Sequence, residues 1–445
     1  MQKDQIQNIQ QLNADSFFFL KVRNMFQYFK TQHFSFWLIC AYIFFEYSRP
    51  QSIFPVIDVL PWTQFFLIGA LIGTFLDSSV RWVSSRANIL LIIFAIAIFL
   101  SSLFAFYPEI SRKNYINFFN WFVIYFLIIT IVNTRERFYI FQMIFILSSL
   151  KIAMGTSIIW AKRGFTFTAW GLQGPPGFFC NSGELTILML TLFPLAFFLL
   201  TYKKNHINTF EKIILISCVC CPLLTILGGS SRGSQVAMAA TLIFMFRKKV
   251  FKIKYIVLLV VIILAVNKLL PEEQKNRFQN AGSDNTSIQR KLYWKHGREM
   301  IAEHPVIGVG YFNFAPYYQK HYSYDLLGSR GTAQLPHNIF IQVGTDAGFM
   351  GLIPFSLLLL YALITPIVYN RRYSKNNDDW LVLSMVGAGY GIFGFIIAGQ
   401  FVTVAYYPFL WIGLSFIVSA KNILQKEYSF LQIHQNSMQS QNGNE

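Results

Sequence analysis

The chain has 445 residues, of which 54% are hydrophobic, 18% aromatic and only 13% charged. Soluble domains are about one quarter charged, so a string of soluble domains is excluded and an integral membrane protein is indicated. The formal net charge of +17 does not point to nucleic acid, because most of the excess lies in short loops, where span topology and attraction to anionic lipid account for it.

In chain order, residues 1–33 form a tail whose Gln/Asn-rich start is too polar for a signal-peptide core, so the first span is expected to act as an uncleaved anchor. Apolar segments of roughly 17–25 residues cross a bilayer as helices. Twelve are expected, at 34–46, 61–76, 88–107, 115–133, 138–160, 185–201, 212–228, 233–246, 253–270, 338–369, 380–399 and 403–420. The first, second and eighth are short, the tenth is long enough to begin outside the hydrocarbon, and eleven spans is the alternative. Spans one to nine thus occupy 34–270, a polar loop 271–336, spans ten to twelve 337–420, and a tail 421–445. The fold class expected is an all-α membrane bundle with one large external helical loop. With the N-terminus inside, 21 Lys and Arg fall on the cytoplasmic side against six in short external loops, so both termini are expected to be cytoplasmic. This parity places the loop 271–336, Arg232 and His337 on one external face. Four cysteines, Cys40, Cys218, Cys220 and Cys221, lie in spans and only Cys180 lies outside, with no disulfide framework or zinc spacing.

Three motifs converge on that face. GGSSRGS (228–234) is a small-residue turn before the eighth span. Its amides favour an anion and Arg232 adds a bidentate fork matched to phosphate; the other reading is a tight turn whose arginine reaches the interface. In the loop, Ser287 is expected to cap a helix running to about Glu303. Arg290, Trp294 and Arg298, at i, i+4 and i+8, share one face of it. Two guanidiniums beside an aromatic ring suit a phosphate joined to a sugar, although a basic amphipathic helix on anionic headgroups has the same pattern. The loop acids show no metal spacing, so a metal-independent site is expected, with no cofactor. HPVIGVGYFNF (304–314) reads first as a Pro/Gly turn, with His304 a scaffold hydrogen-bonder. His337, in PHNIFIQVGTDAGFMGLIPF (336–355), stands at the start of the tenth helix, whose positive end lowers a histidine's pKa and keeps it a neutral proton acceptor; a helix cap is the other reading. Asp346 is half a turn round from it and reads as a polar contact inside the bundle. Lys151, mid-span in the fifth helix, is expected to face protein or water. The aromatic loop 161–184 offers Trp170 and Phe178 for stacking on sugar, or forms a plug.

In their order and shared face, SSRGS, Arg290 with Trp294, HPVIGVGYFNF and HNIFIQVGTDAGFMGLIPF resemble the bacterial O-antigen ligase and O-antigen polymerase superfamily. YSRPQSIFP (47–55) and GPPGFFCNSGE (174–184) additionally resemble its exosortase-associated O-glycosylation ligase subgroup. The resemblance implies a glycosyltransferase of the bacterial inner membrane that takes a glycan from undecaprenyl diphosphate and passes it to a hydroxyl of lipid A core, another glycan or a protein. It implies that Arg232, Arg290 and Arg298 hold the diphosphate and that His337 deprotonates or orients the acceptor. With no external carboxylate nucleophile in view, inversion is expected. A polymerase of the same superfamily shares every motif. A lipid-linked glycan transporter is the alternative from another class, but it would spread polar residues through the midplane, whereas here they gather outside.

Overall fold

The computed structural model describes residues 21–80, 82–168, 171–203, 208–250, 252, 282–327, 331–373 and 379–442. Within them the chain is helical, with no strand. Short turns aside, the helices are α1 Val22–Thr31, α2 Phe34–Ser48, α3 Trp62–Leu76, α4 Arg86–Leu103, α5 Pro108–Ile131, α6 Arg135–Lys162, α7 Ser182–Lys203, α8 Thr209–Gly228, α9 Arg232–Met245, α10 Asn285–Glu303, α11 Phe314–His321, α12 Ile339–Tyr373, α13 Trp380–Ala398 and α14 Pro408–Asn442. Seven of these, α4 to α8 with α12 and α13, are long and apolar enough to cross a membrane, where a helix satisfies its own backbone polar groups. The protein is therefore an all-helical, polytopic membrane protein. The expected ninth span, 253–270, lies outside the described residues.

The helix starts follow from local chemistry. Ser85, Thr134 and Asp379 cap α4, α6 and α13 through their side-chain oxygens, and Asn208 and Glu211 form a capping box on α8. Two helix starts differ most from expectation, and α14 runs on to Asn442, past the expected span end at 420. α5 starts at Pro108, not near 115, because Pro at its first position suits a helix start and two polar turns carrying Glu109, Arg112 and Lys113 hide it from a hydropathy reading. α14 starts at Pro408, and residues 399–407 before it form irregular turns.

Apolar area alone does not drive helix association in lipid, so close approach matters. α13 presents Gly387 and Gly391, one turn apart, to α7. A Cβ on Gly387 would lie 2.9 Å from Leu195 Cα, and one on Gly391 3.0 Å from Thr191 Cα. These two glycines let the backbones touch, and α7 is the most enclosed of the seven spans, 72% of its apolar window being buried.

α12 is broken at Gly348, which has φ 58° and ψ −159°. The 304–310 turn fills the break: Phe349 and Met350 N–H donate to the carbonyls of Pro305 (2.7 Å) and Val306 (3.2 Å), and Val309 N–H donates to Thr345 O (2.7 Å). The two Gly-rich motifs thus cap one another. Asn313 then locks the following turn to the start of α5, accepting from Tyr107 N–H (2.5 Å) and donating to Ser111 Oγ (2.8 Å). α10 and α11 pack around a small aromatic core of Tyr293, Met300, Phe314, Tyr317 and Tyr318, seated on the first turns of α12.

The ends of the bundle differ in chemistry. At one end Arg135 bridges Asp379 (2.6 Å) and Glu427 (2.7 Å). At the other end gather the described parts of the loops after α2, α4, α6, α8 and α13, together with residues 282–327 and 331–338.

Candidate functional site

Four segments meet at that second end. Ser231 caps α9 by accepting from Ser234 N–H, and Ser230 N–H donates to Ser182 Oγ (3.0 Å), so the turn carrying Arg232 is held against α7. Gly233 faces the ring of Phe401, which a Cβ would strike, and Phe401 stands 6.5 Å from the Trp294 ring. Trp294 Nε1–H donates to Pro336 O (2.9 Å), which ties α10 to the residue before His337. His337 N–H donates to Thr403 Oγ1 (2.9 Å).

The cap of α10 is Asp284, not Ser287. Its Oδ1 accepts from Ser287 N–H at 3.0 Å. Its Oδ2 accepts from Ser287 Oγ (2.8 Å) and from Arg232 Nη2 (3.0 Å). These hydrogen bonds hold its carboxyl down at about 2 against the opposing effect of burial. Asp284 is thus the residue that reading the loop acids for metal spacing alone passed over. The signal was present in an Asp three residues before Ser287, which is the N-cap spacing.

Arg290 is half-buried, and its Nε–H has no hydrogen-bond partner among the described residues. Burial and the neighbouring charge of Arg232 both press its pKa down. Beside the Arg232–Asp284 pair, Arg290 thus keeps a desolvated donor unused among the described residues. That is an arrangement an anion would complete.

His337 lies next to Arg290. It is not the cap of α12; Asn338 is, its Oδ1 accepting from Phe340 N–H (2.9 Å) and Ile341 N–H (3.2 Å). His337 instead adopts a left-handed backbone, φ 52°, uncommon for a residue with a side chain. Its pKa is pushed down to about 4, by burial first and then by the Arg290 charge, where the sequence had pointed to the helix end. The ring is therefore neutral at pH 7. With the proton on Nε2, facing Gln334 Oε1 at 3.3 Å, Nδ1 keeps a free lone pair.

Arg232, Arg290, Trp294 and His337 are thus brought together. Arg298 is exposed two turns further along α10, about 12 Å from Arg290 at 1.5 Å per residue. Trp170 lies outside the described residues. His304 is a scaffold residue, its Nε2 3.1 Å from Tyr317 OH. Lys151 donates to Ser48 O (2.6 Å), a bond between α6 and the end of α2. Asp346 is buried, its backbone carbonyl accepting from Ser101 Oγ. A residue missed in the sequence is His296, 2% exposed. Its Nδ1 is 2.6 Å from Glu299 Oε2 and its Nε2 2.7 Å from Asp325 Oδ2, and its ring is stacked on Tyr322. Among the described residues no cluster of three or more His, Cys, Asp or Glu could hold a metal.

Residues 216–356 match the O-antigen ligase family. This match supports the likeness to the O-antigen ligase superfamily that the motifs carry. The matched stretch runs from α8 to just past the Gly348 break, about a third of the chain, and contains Arg232, Asp284, Arg290, Trp294, Arg298 and His337. A comparison with curated proteins finds no match.

Proposed function

We propose that the protein transfers a glycan from undecaprenyl diphosphate to an acceptor hydroxyl on the external face of the bacterial inner membrane, with twelve spans and both termini cytoplasmic. The observation that carries this reading is the meeting of Arg232, Arg290 and His337 at one end of the bundle, inside the O-antigen ligase segment. The two guanidiniums hold the diphosphate, with Arg298 a third cation further out along α10. The exposed part of Trp294 lies beside the sugar. His337 takes the acceptor proton as the acceptor oxygen bonds to the anomeric carbon. The bond from that carbon to the phosphate oxygen breaks, and the diphosphate leaves with the electron pair on that oxygen, its negative charge held by the arginines. Attack opposite the leaving group inverts the anomeric centre. The site thus acts through placement and charge, without a metal. Bound diphosphate also offsets the Arg290 charge, which raises the His337 pKa and makes the ring a stronger base once donor is present.

The acceptor, whether lipid A core, a growing glycan or a protein, distinguishes ligase from polymerase. The test is reconstitution in liposomes with lipid-linked glycan extracted from native membranes and each acceptor class. Transfer with release of undecaprenyl diphosphate, unaffected by excess EDTA, is expected. A strict Mg²⁺ or Mn²⁺ requirement, restored on adding the metal back, contradicts the proposed diphosphate site.

A further inference from the structure

The two N-terminal motifs, YSRPQSIFP and GPPGFFCNSGE, are not used by the site above, yet they pack on one another. Arg49 follows α2 with φ 52°. It pairs with Glu46 (3.2 Å) and lies over the Phe179 ring at 6.0 Å. Gly177, at φ 105°, leaves room for it, since a Cβ there would collide with the guanidinium. Beneath this contact is a cavity of about 180 Å³ between α2, α3 and α5. Its lining has the composition of a sugar site. Glu46, only 4% exposed, and Arg49 supply charged acceptors and donors. Gln64, Asn117 and Asn120 face in from α3 and α5, and among the described residues their side chains make no hydrogen bond. Trp121 gives an apolar ring, and Phe178 closes over it edge-on at 5.2 Å.

Polar groups on spanning helices are costly when they face lipid and mark functional positions. Three free amides beside a buried ion pair and an indole match the hydroxyls and apolar face of a sugar ring. The cavity has room for several waters, enough for one sugar ring. It also communicates with the arginine site through one loop: Phe178 packs on Tyr407 at 5.3 Å, and Ser182, four residues on, accepts from Ser230 N–H.

We propose that this cavity is a saccharide subsite holding one ring of a glycan substrate, about the Glu46–Arg49 pair, Gln64, Asn117, Asn120 and Trp121. Its setting rests on the glycosyl-transfer reading, and the ring belongs to the donor or to the acceptor. The test uses full-length protein in nanodiscs and two probes. Methyl glycosides of hexoses, N-acetylhexosamines and 6-deoxyhexoses are read by saturation-transfer NMR, and undecaprenyl diphosphate without sugar is titrated separately. Asn120→Leu and Gln64→Leu are apt variants, because leucine is a good helix former and suits an apolar helix. At least one methyl glycoside should show transfer in the wild type, cut at least fivefold in both variants and kept in Arg290→Ala, while both variants bind undecaprenyl diphosphate normally. No transfer from the whole panel, or transfer that survives both leucine variants, overturns the subsite. Failure of the wild type to bind undecaprenyl diphosphate counts against the diphosphate site and leaves the sugar result to stand alone. In transfer assays with native lipid-linked glycan, Asn120→Leu raises KM for the donor if the ring is the donor's and for the acceptor if it is the acceptor's. No change in either overturns the proposal.

Discussion

At the scale of single residues, the charge balance around Arg290 sets the behaviour of the site. His337 is neutral in the free protein down to about pH 4. Since kcat/KM reports free-enzyme groups and kcat those of the complex, the acid limb of kcat/KM should fall near pH 4. Bound diphosphate favours the imidazolium and raises the His337 pKa, so the acid limb of kcat should lie at higher pH; coincident limbs would mean that Arg290 and donor do not act on His337. Asp284 accepts from Arg232 while capping α10, so in the proposed site it would compete with the diphosphate for that guanidinium. Asp284→Asn keeps a good cap and removes one negative charge, worth on the order of 1 kcal/mol at a few ångströms in water. Undecaprenyl diphosphate should therefore bind several-fold more tightly to this variant in nanodiscs; weaker binding would mean that the carboxylate is needed to aim Arg232. Arg232, Arg290 and His337 were legible in the sequence because all three fall in segments of one topological parity. The Asp284 pairing was not, because it depends on which way two turns face. The His296 clamp was hidden for the same reason: Asp325 returns to α10 only after 29 residues of folded chain.

At the scale of elements, glycine placement governs both the spans and the loop. Gly391→Leu puts a branched side chain against Thr191 Cα and should separate α13 from α7, lowering thermal stability in detergent, whereas Leu at the exposed Gly155, where a Cβ meets nothing within 4 Å, should not. Equal melting of the two variants would show that close packing of α7 on α13 is not required. Eleven of the twelve expected apolar segments coincide with described helices, seven of them long and apolar enough to cross a membrane, because apolar runs are strong signals. Their ends were less legible, since a helix can begin in a polar turn, as α5 does at Pro108. The break at Gly348 was invisible to hydropathy, which stays high across it; only the pairing of Phe349 and Met350 N–H with Pro305 and Val306 carbonyls makes a broken helix stable there.

For the whole molecule, the organising feature is that the ends of the bundle carry different chemistry, one a set of ion pairs about Arg135, the other the arginine–histidine cluster and the polar cavity. In the proposed topology the charge asymmetry of the loops puts the second end outside. Cysteines introduced at 209–212 and 247–250 should therefore react only with reagent on the cytoplasmic side, and those at 284–327 only from outside; reaction of 284–327 from the cytoplasm would reverse the assignment. The central claim, that arginines hold the donor while His337 serves the acceptor, is tested most directly by measuring donor affinity and turnover on purified Arg290→Ala and His337→Ala variants of matched stability. Arg290→Ala should lose about 1.5–3 kcal/mol of donor binding, the worth of a charged hydrogen bond, with Lys a poor substitute for the planar fork. His337→Ala should bind donor as the wild type does and lose roughly 10²–10⁴-fold in turnover, the usual contribution of a general base. Near wild-type transfer by His337→Ala would contradict the account.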